Sequence, residues 1–232
     1  MSRTTITYTT TGGETYQTEV DNEVSRLDLA QLDIANIDLT TLRQFRELRE
    51  LNISNNQLHD MDLTPLDACR YLEVLDLSMN TMEKLTLAPV CKSGRLKSVN
   101  VSDNCLKTLQ LGPFPELNDL TWFYARHNEL KGIDLSPLSR CGNLEYLILS
   151  SNSFSEVSLR PLLSCKNTKY LLLNDNPIAA LDVSVLFHLY RLEVFSVDDT
   201  TKLTADGKLR RISDIPVGLI DKVERINWLP TS

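Results

Sequence analysis

A 24-residue pattern repeats without insertion or deletion through most of this chain, and it constrains the fold more than any other feature. Apolar residues occupy the first, fourth, sixth, eleventh, fourteenth, sixteenth and nineteenth places of the unit, and an asparagine usually occupies the ninth. The units begin at Val24, Leu48, Leu72, Leu96, Leu120, Leu144, Thr168 and Leu192. A fixed period of this length is typical of solenoids, in which each unit buries its apolar face against its neighbours.

The first half of each unit predicts a short strand followed by a turn. Apolar residues at the fourth and sixth places alternate with other residues, so they point to one side of a strand. Stacked units would align these strands as a parallel sheet with a spacing of about 4.8 Å. Where the chain leaves the strand, the asparagine amide can both donate and accept hydrogen bonds. We therefore expect a structural ladder formed by Asn56, Asn80, Asn104, Asn128, Asn152 and Asn176.

The second half of the unit predicts a short helix on the opposite side of the array. Thr64-Pro65 and Ser136-Pro137 predict an N-cap followed by proline in the first helical turn. Only one or two turns of α or 3₁₀ helix fit before the next strand. Because helices are wider than strands, the array should curve with its sheet on the concave side. The aspartates of the fifteenth place are interpreted as structural residues beside a turn; they include Asp62, Asp134 and Asp182.

The N-terminal segment differs from the repeat. Residues 4–20 alternate polar and apolar side chains around Gly12 and Gly13, which predicts a β-hairpin. We expect this hairpin to cover the apolar face of the first unit at Val24, Leu27 and Leu29.

The period fails after Val197, and the C-terminal segment is expected to close the array. Val223, Ile226 and Trp228 restore the first, fourth and sixth places and predict a final strand. The polar stretch 204–211 is interpreted as a surface loop, and residues 215–220 are expected to pack over the open core.

The pattern L-x-x-L-x-L-x-x-N-x-L resembles the leucine-rich repeat family. The resemblance implies a right-handed α/β solenoid with a parallel sheet on the concave face and short helices or 3₁₀ turns on the convex face. We expect a single domain made of an N-terminal hairpin cap (residues 1–23), an eight-unit array (24–200) and a C-terminal cap (201–232). An array of 24-residue units without a disulfide cap resembles the intracellular members of the family.

Composition narrows the classes of partner. A net charge of −7 and a pI near 5.0 argue against nucleic-acid binding, which needs a basic face. No apolar run approaches the roughly 20 residues that span a bilayer, and the first 13 residues lack the apolar core of a secretory signal. We therefore expect a monomeric protein without a membrane span.

The five cysteines fit no disulfide framework. Cys69, Cys141 and Cys165 share the twenty-second place with Phe45, Leu117 and Leu189, with Ser93 as the polar exception. This exchange with large apolar residues predicts buried, structural thiols. Cys91 and Cys105 lie at other places and are expected to be partly exposed. Free thiols favour a reducing compartment, and we expect a cytoplasmic location.

No spacing in the sequence points to catalysis or to a bound cofactor. His59, His127 and His188 form no H-x-x-x-H or H-E-x-x-H spacing, and no C-x-x-C pair accompanies them, so we expect no metal site. Phosphate-binding glycine clusters and G-x-S-x-G sequences are also absent from the sequence. We expect the chain not to be an enzyme and to hold no cofactor.

The side chains of the concave face divide into two halves. At the third, fifth and seventh places, the first four units carry mostly small or polar residues. The later units carry aromatic, apolar and basic residues, and the predicted partner-binding set is Trp122, Tyr124, Arg126, His127, Tyr146, Ile148, Tyr170 and Leu172. Exposed apolar clusters mark interaction surfaces, and tryptophan, tyrosine and arginine are enriched at binding hot spots. A simpler alternative is that the aromatic residues only stabilise the sheet as cross-strand neighbours.

The sequence therefore predicts a scaffold that binds a protein partner through the C-terminal half of its concave face. Two alternatives remain at this stage. The chain could regulate a small GTPase or a phosphatase in trans, with Arg126 as the candidate arginine, or it could sense a peptide or glycan through the same aromatic residues.

Overall fold

The computed structural model describes residues 2–112 and 119–230, and it has the solenoid fold that the repeat predicts. In this part of the chain, eight strands form one sheet, here called the concave sheet. Its strands are Arg26–Asp28, Glu50–Asn52, Val74–Asp76, Ser98–Asn100, Trp122–Tyr124, Tyr146–Ile148, Tyr170–Leu172 and Val194–Ser196. All neighbours are parallel and pair place for place, as in Leu51 with Leu75. The predicted fold class is confirmed.

The inward side chains of the concave sheet form the core. The fourth-place residues are all at most 5% exposed: Leu27, Leu51, Leu75, Val99, Phe123, Leu147, Leu171 and Phe195. Because the strands pair in register, each of these side chains packs against the side chain at the same place of the next unit. One continuous core therefore runs the length of the array, and each unit depends on its neighbours.

The convex side carries short 3₁₀ helices. They are Thr40–Gln44, Thr64–Ala68, Val90–Ser93, Ser136–Arg140, Arg160–Ser164 and Ser184–His188. A two-stranded parallel sheet, Lys84–Thr86 with Thr108–Gln110, precedes two of the outer segments.

The expected capping role of Thr64 and Ser136 is wrong. Both residues begin a 3₁₀ helix, but within the described residues neither side chain caps it. The fifteenth-place aspartate does so instead: Asp62 Oδ1 accepts from the Thr64 N–H at 2.8 Å, and Asp134 Oδ1 accepts from Ser136 at 2.9 Å. Hydrogen bonds from the side chain and N–H of Thr64 lower the pKa of Asp62, because they favour the charged carboxylate.

The N-terminal segment forms an antiparallel hairpin, Arg3–Thr10 with Thr15–Asp21. Its first strand pairs with Ile34–Ile37 in the outer half of the first unit, so the hairpin does not extend the concave sheet. Of the three residues that the hairpin was expected to cover, Leu27 and Leu29 are buried and Val24 is only half-buried.

The C-terminal segment corrects two expectations. Residues 204–211 are not a loop: the strand Lys202–Asp206 is followed by the 3₁₀ helix Gly207–Arg211, because Leu203 and Ala205 alternate into the core. The final strand, Ile226–Leu229, pairs in parallel with Lys202–Asp206, which itself pairs with Ala180–Asp182. This strand therefore continues the outer side of the array and leaves the concave sheet to end at Val194–Ser196.

A 3₁₀ helix at Val217–Arg225 covers that last strand. Leu219 is fully buried, and the Gly218 N–H donates to the Leu192 carbonyl at 2.9 Å. Residues 215–220 thus pack over the core only in part, since Val217 and Ile220 are exposed. Trp228 lies beside Phe187, with ring centroids 5.6 Å apart.

The cysteines lie mostly in the core. Cys69, Cys141 and Cys165 are fully buried, whereas Leu117, which shares their place, lies outside the described residues, as do Met1 and residues 231–232. Cys105 is half-buried. The expectation for Cys91 is wrong, because it is 5% exposed and its thiol donates to the Leu87 carbonyl at 3.0 Å.

Candidate protein-binding surface

Three aromatic side chains occupy the third place of consecutive strands in the concave sheet. Parallel pairing aligns Trp122 with Tyr146 and Tyr146 with Tyr170. The rings of Trp122 and Tyr146 are 6.4 Å apart and inclined by 26°, and those of Tyr146 and Tyr170 are 4.8 Å apart and inclined by 5°. These three residues, here called the aromatic row, form a stacked ridge. Trp122 is 37% exposed and the two tyrosines are half-buried, so one side of the ridge faces solvent.

The fifth-place residues beside the aromatic row are less accessible than the sequence predicts. Tyr124, Ile148 and Leu172 follow one another in register. Tyr124 and Leu172 are half-buried, and burial raises the pKa of Tyr124. Ile148 is only 8% exposed, because it lies between two large neighbours on the same face. Ile148 therefore offers little accessible area to a partner, although it lies on the same face as Tyr124 and Leu172.

Arg126 and His127 lie at the rim, where the strand Trp122–Tyr124 ends. The Arg126 side chain is 53% exposed, and its Nε is 3.8 Å from Asp103 Oδ2. His127 is exposed and has a φ of 52°. Its N–H donates to the Ser150 carbonyl at 3.1 Å, and its carbonyl accepts from Asn104 at 3.2 Å. The backbone of His127 thus has a structural role, while its side chain is available at the rim.

Left-handed backbone at the eighth place was not predicted from the sequence. Every unit from the first to the seventh has a positive φ there, at Gln31, Asn55, Met79, Asp103, His127, Ser151 and Asp175. Four of these positions hold Asn, Asp or His, which tolerate this conformation better than most residues. This enrichment in Asn, Asp and His is the sequence signal from which the left-handed backbone could have been predicted.

The asparagine ladder has the expected position and a repeated hydrogen-bond pattern. The Nδ2 of Asn104 donates to the carbonyls of Leu77, Val101 and Ser102, and its Oδ1 accepts from the Met82 N–H. The same four types of contact recur at the other five members, Asn56, Asn80, Asn128, Asn152 and Asn176. These amides satisfy backbone groups that the turn removes from the sheet and so fix the base of the surface.

Polar side chains in the N-terminal half of the concave sheet bond to nearby backbone N–H groups and side chains. Asp76 accepts from the Ser78 N–H at 2.9 Å and from Asn100 Nδ2 at 3.3 Å, and Asn52 accepts from the Ser54 N–H at 3.0 Å. Asp28, likewise, lies 3.4 Å from Arg26. Local hydrogen bonding leaves this half less suited to a partner than the aromatic half.

Charged residues flank the aromatic row at the second place, which the sequence interpretation did not include in the surface. Lys169 Nζ is 2.9 Å from Glu145 Oε2, and this hydrogen bond raises the pKa of Lys169. The Tyr170 hydroxyl donates to Glu193 Oε2 at 3.4 Å. The negative charge of Glu193 is the main cause that raises the pKa of Tyr170. The alternation of Glu and Lys at this place was the signal in the sequence.

A recess of about 830 Å³ on the convex side was also not predicted. It lies between the last two convex helices and the C-terminal strand, and Leu163 and Leu229 are exposed in its lining. Arg160, His188 and Asp206 provide its polar edge. The repeat places these residues in separate outer segments, so no sequence spacing identifies the recess.

Comparisons with known proteins identify the repeat. The family model described as Leucine Rich Repeat matches residues 47–69 and 143–165, which lie in two separate parts of the array. The solved structure of internalin C2 from Listeria monocytogenes str. 4b F2365 is similar with a TM-score of 0.52 and 24% sequence identity, over 75% of this chain and 81% of that chain. The chain therefore contains leucine-rich repeats and has a leucine-rich repeat fold. A search of curated proteins found no match.

Leucine-rich repeat domains are generally protein–protein interaction modules and are typically non-catalytic. Within residues 2–112 and 119–230, no three His, Cys, Asp or Glu side chains are grouped closely enough to hold a metal ion. Of the helices in the same two ranges, none is long and apolar enough to cross a bilayer.

Proposed function

We propose that this leucine-rich repeat protein is a non-catalytic module that binds a protein partner through the C-terminal half of its concave sheet. The observation that carries this proposal is the aromatic row, a stacked and partly exposed ridge on the only half of the concave sheet, among the described residues, that presents large aromatic side chains. Rigid aromatic side chains bury a large area at low entropic cost, which suits them to act as hot spots.

The proposed contact set is smaller than the set predicted from the sequence, because it leaves out Ile148. Trp122, Tyr146 and Tyr170 provide the ridge, Tyr124 and Leu172 its half-buried side, and Arg126 and His127 its polar rim. The buried thiols support a cytoplasmic location as part of the same proposal, because a reducing compartment keeps them free.

A capture experiment tests the proposal. Wild-type chain and the variants Trp122→Ala and Tyr170→Ala are immobilised at equal density and exposed to lysate of the source organism, and bound proteins are quantified by mass spectrometry. We expect one set of proteins to be retained by the wild type and lost from both variants. The matched control is Val74→Ala, which changes the same place of the repeat in the N-terminal half and should retain that set. A bound set that is the same on all four surfaces would contradict the proposal.

The regulatory alternative has its own test. Arg126 is the exposed guanidinium nearest in register to the aromatic row, so it is the residue that would act in trans on a GTPase. If a captured partner hydrolyses GTP, adding wild-type chain should leave its rate unchanged when the module is a scaffold. A rate increase that is lost in Arg126→Ala would favour the regulator.

A further inference from the structure

The concave sheet and its rim have a net negative charge. At the third, fifth, seventh and eighth places, seven carboxylates face two guanidinium groups, on a chain whose net charge is −7. The carboxylates are Asp28, Glu50, Asp76, Asp103, Asp175, Asp198 and Asp199, and the cations are Arg26 and Arg126. An acidic concavity with an apolar floor concentrates its electric field and attracts cationic partners.

In the N-terminal half of this face, the structure already compensates much of the charge. Arg26 lies 3.4 Å from Asp28 and 3.7 Å from Glu50. Asp76 is half-buried and accepts hydrogen bonds from Ser78 and Asn100, so it is less accessible than the exposed Asp175. These groups leave little unsatisfied charge for a partner to neutralise.

The acids around the aromatic row differ in their partners. Asp103 has Arg126 at 3.8 Å, and Asp199 has Arg225 at 2.8 Å. Asp198 uses both carboxylate oxygens to accept the N–H groups of Asp175 and Asn176. These three carboxylates therefore already have hydrogen-bond or salt-bridge partners within the chain.

Two exposed carboxylates beside the aromatic row form no salt bridge among the described residues, although Lys169, which is paired with Glu145, lies close enough to Glu193 to interact with it. Glu193 is exposed and accepts only the Tyr170 hydroxyl, at 3.4 Å. Asp175 is exposed and accepts from the neutral groups Asn174 Nδ2 and Ser151 Oγ. The raised pKa of Tyr170 has Glu193 as its main cause, which shows that negative potential reaches the row.

We propose that the aromatic row with Glu193 and Asp175 binds a basic segment of a protein partner, in which lysine or arginine side chains flank an apolar residue. The inference rests on the proposed function and deepens it by naming the chemistry of the partner. The apolar residue packs on the row, and the flanking cations reach Glu193 and Asp175. A cation over the exposed face of Trp122 or Tyr170 gains a further attraction from the ring. Charge complementarity of this kind also accelerates association.

Matched synthetic peptides test the inference without knowledge of the natural partner. Three sets of short peptides share the same leucine and tyrosine positions and carry Lys and Arg, Glu and Asp, or Ser and Gln at the remaining positions. Affinity for the full chain is measured by fluorescence anisotropy at low and at high NaCl. We expect the basic set to bind, its affinity to fall as NaCl rises from about 0.05 to 0.3 M, and the acidic set not to bind.

Charge-neutralising variants assign the effect to the two carboxylates. Glu193→Gln with Asp175→Asn should weaken binding of the basic peptides about fivefold, the loss expected for two exposed ion pairs. Asparagine is compatible with the left-handed backbone of Asp175, since Asn55 occupies the same place with a φ of 54°. Glu156→Gln is the matched control, because Glu156 is equally exposed and lies in the outer half of its unit.

The outcomes separate this inference from the proposed function. Neutral or acidic peptides that bind as tightly as basic ones, with binding still lost in Tyr170→Ala, would overturn the basic partner and leave the aromatic row as the site. Basic peptides whose affinity is unchanged in the Glu193 and Asp175 variants would also overturn it. Binding that no aromatic substitution alters, or an absence of binding to every set, would count against both the inference and the proposed function.

Discussion

The rings of Tyr146 and Tyr170 stack with centroids 4.8 Å apart and planes 5° from parallel. This distance matches the spacing of about 4.8 Å between neighbouring strands. The two rings therefore sit at the spacing of the backbone that carries them, and they are held in place without distortion of the sheet. Such a ridge is rigid before a partner arrives, which reduces the entropic cost of binding.

The stacking gives the members of the aromatic row different effects on stability. Tyr146→Ala removes two ring contacts and should lower the free energy of unfolding by about 1–3 kcal/mol. Trp122→Ala removes one wider contact and should lower it by about 1 kcal/mol or less. Urea denaturation measures both values, and Val74→Ala is the control at the same place. Both aromatic variants should also lose partner binding; a loss of stability with unchanged binding per folded molecule would mean that the row only stabilises the sheet.

Removing one side-chain amide of the asparagine ladder should lower the free energy of unfolding more than removing the ring of Trp122 or Tyr146. Asn104→Ala leaves the buried Met82 N–H without its partner and removes one of the two donors from each of the Leu77, Val101 and Ser102 carbonyls, so we expect the free energy of unfolding to fall by about 3–5 kcal/mol. Denaturation of Asn36→Ala, which changes an exposed asparagine of the first unit, gives the comparison. Equal stability of the two variants would show that water replaces the amide at no cost.

Because of the repeat, the sequence predicted which residues form each strand of the concave sheet and which residues pair. The period of 24 fixes which side chains share a place, and parallel pairing joins like places, so the register followed directly from the alignment of units. The third place of the repeat likewise brought Trp122, Tyr146 and Tyr170 together. Alternation within a strand could not show that Ile148 is covered, because coverage depends on the sizes of neighbours on other strands.

The ends of the array were less predictable for a physical reason. Val223, Ile226 and Trp228 have the spacing of a concave strand, but spacing does not say which side of the solenoid a strand joins. The Lys202–Asp206 strand offers a free edge on the outer side, and Ile226–Leu229 pairs with it. The prediction of the helix caps was also wrong: Thr64 and Ser136 fit the N-cap composition, but an aspartate two residues earlier accepts from the N–H of each of them instead.

The buried thiols should make stability fall in alkaline solution. Burial raises the pKa of Cys141 and Cys165 to about 12, above the unfolded value of about 8.5. Their contribution is therefore complete below pH 8.5 and is lost as the pH rises towards the folded value. Between pH 8.5 and 10 we expect a loss of about 1–2 kcal/mol for each thiol.

Denaturation of the wild type and of Cys141→Ala with Cys165→Ala at both pH values measures this loss. The double variant, although less stable, should show a shallower alkaline decline, and equal slopes would contradict the assignment. In the native wild type, thiol reagents should modify the half-buried Cys105 first.

Close approach of the C-terminal helix to the last concave strand should make Gly218 intolerant of a side chain. An added Cβ would lie 2.9 Å from the backbone nitrogens of Val194 and Phe195. Gly218→Ala should therefore displace the helix and lower the free energy of unfolding by about 1–3 kcal/mol, as overpacking does. Gly132→Ala is the control, since nothing lies within 4 Å of its added Cβ. Thermal unfolding that is the same for both variants would show that the helix does not cover the strand closely.

Hydroxyl-radical footprinting of the chain, alone and saturated with a captured partner, measures side-chain exposure at each tyrosine and tryptophan. Trp122, Tyr146 and Tyr170 should be oxidised more slowly in the complex, because the partner excludes solvent from the aromatic row. Tyr190 is 67% exposed and Tyr16 is 44% exposed, and both lie outside the concave sheet, so their oxidation rates should not change. Unchanged oxidation of the aromatic row, together with protection of Tyr190 or Tyr16, would contradict binding through the C-terminal half of the concave sheet.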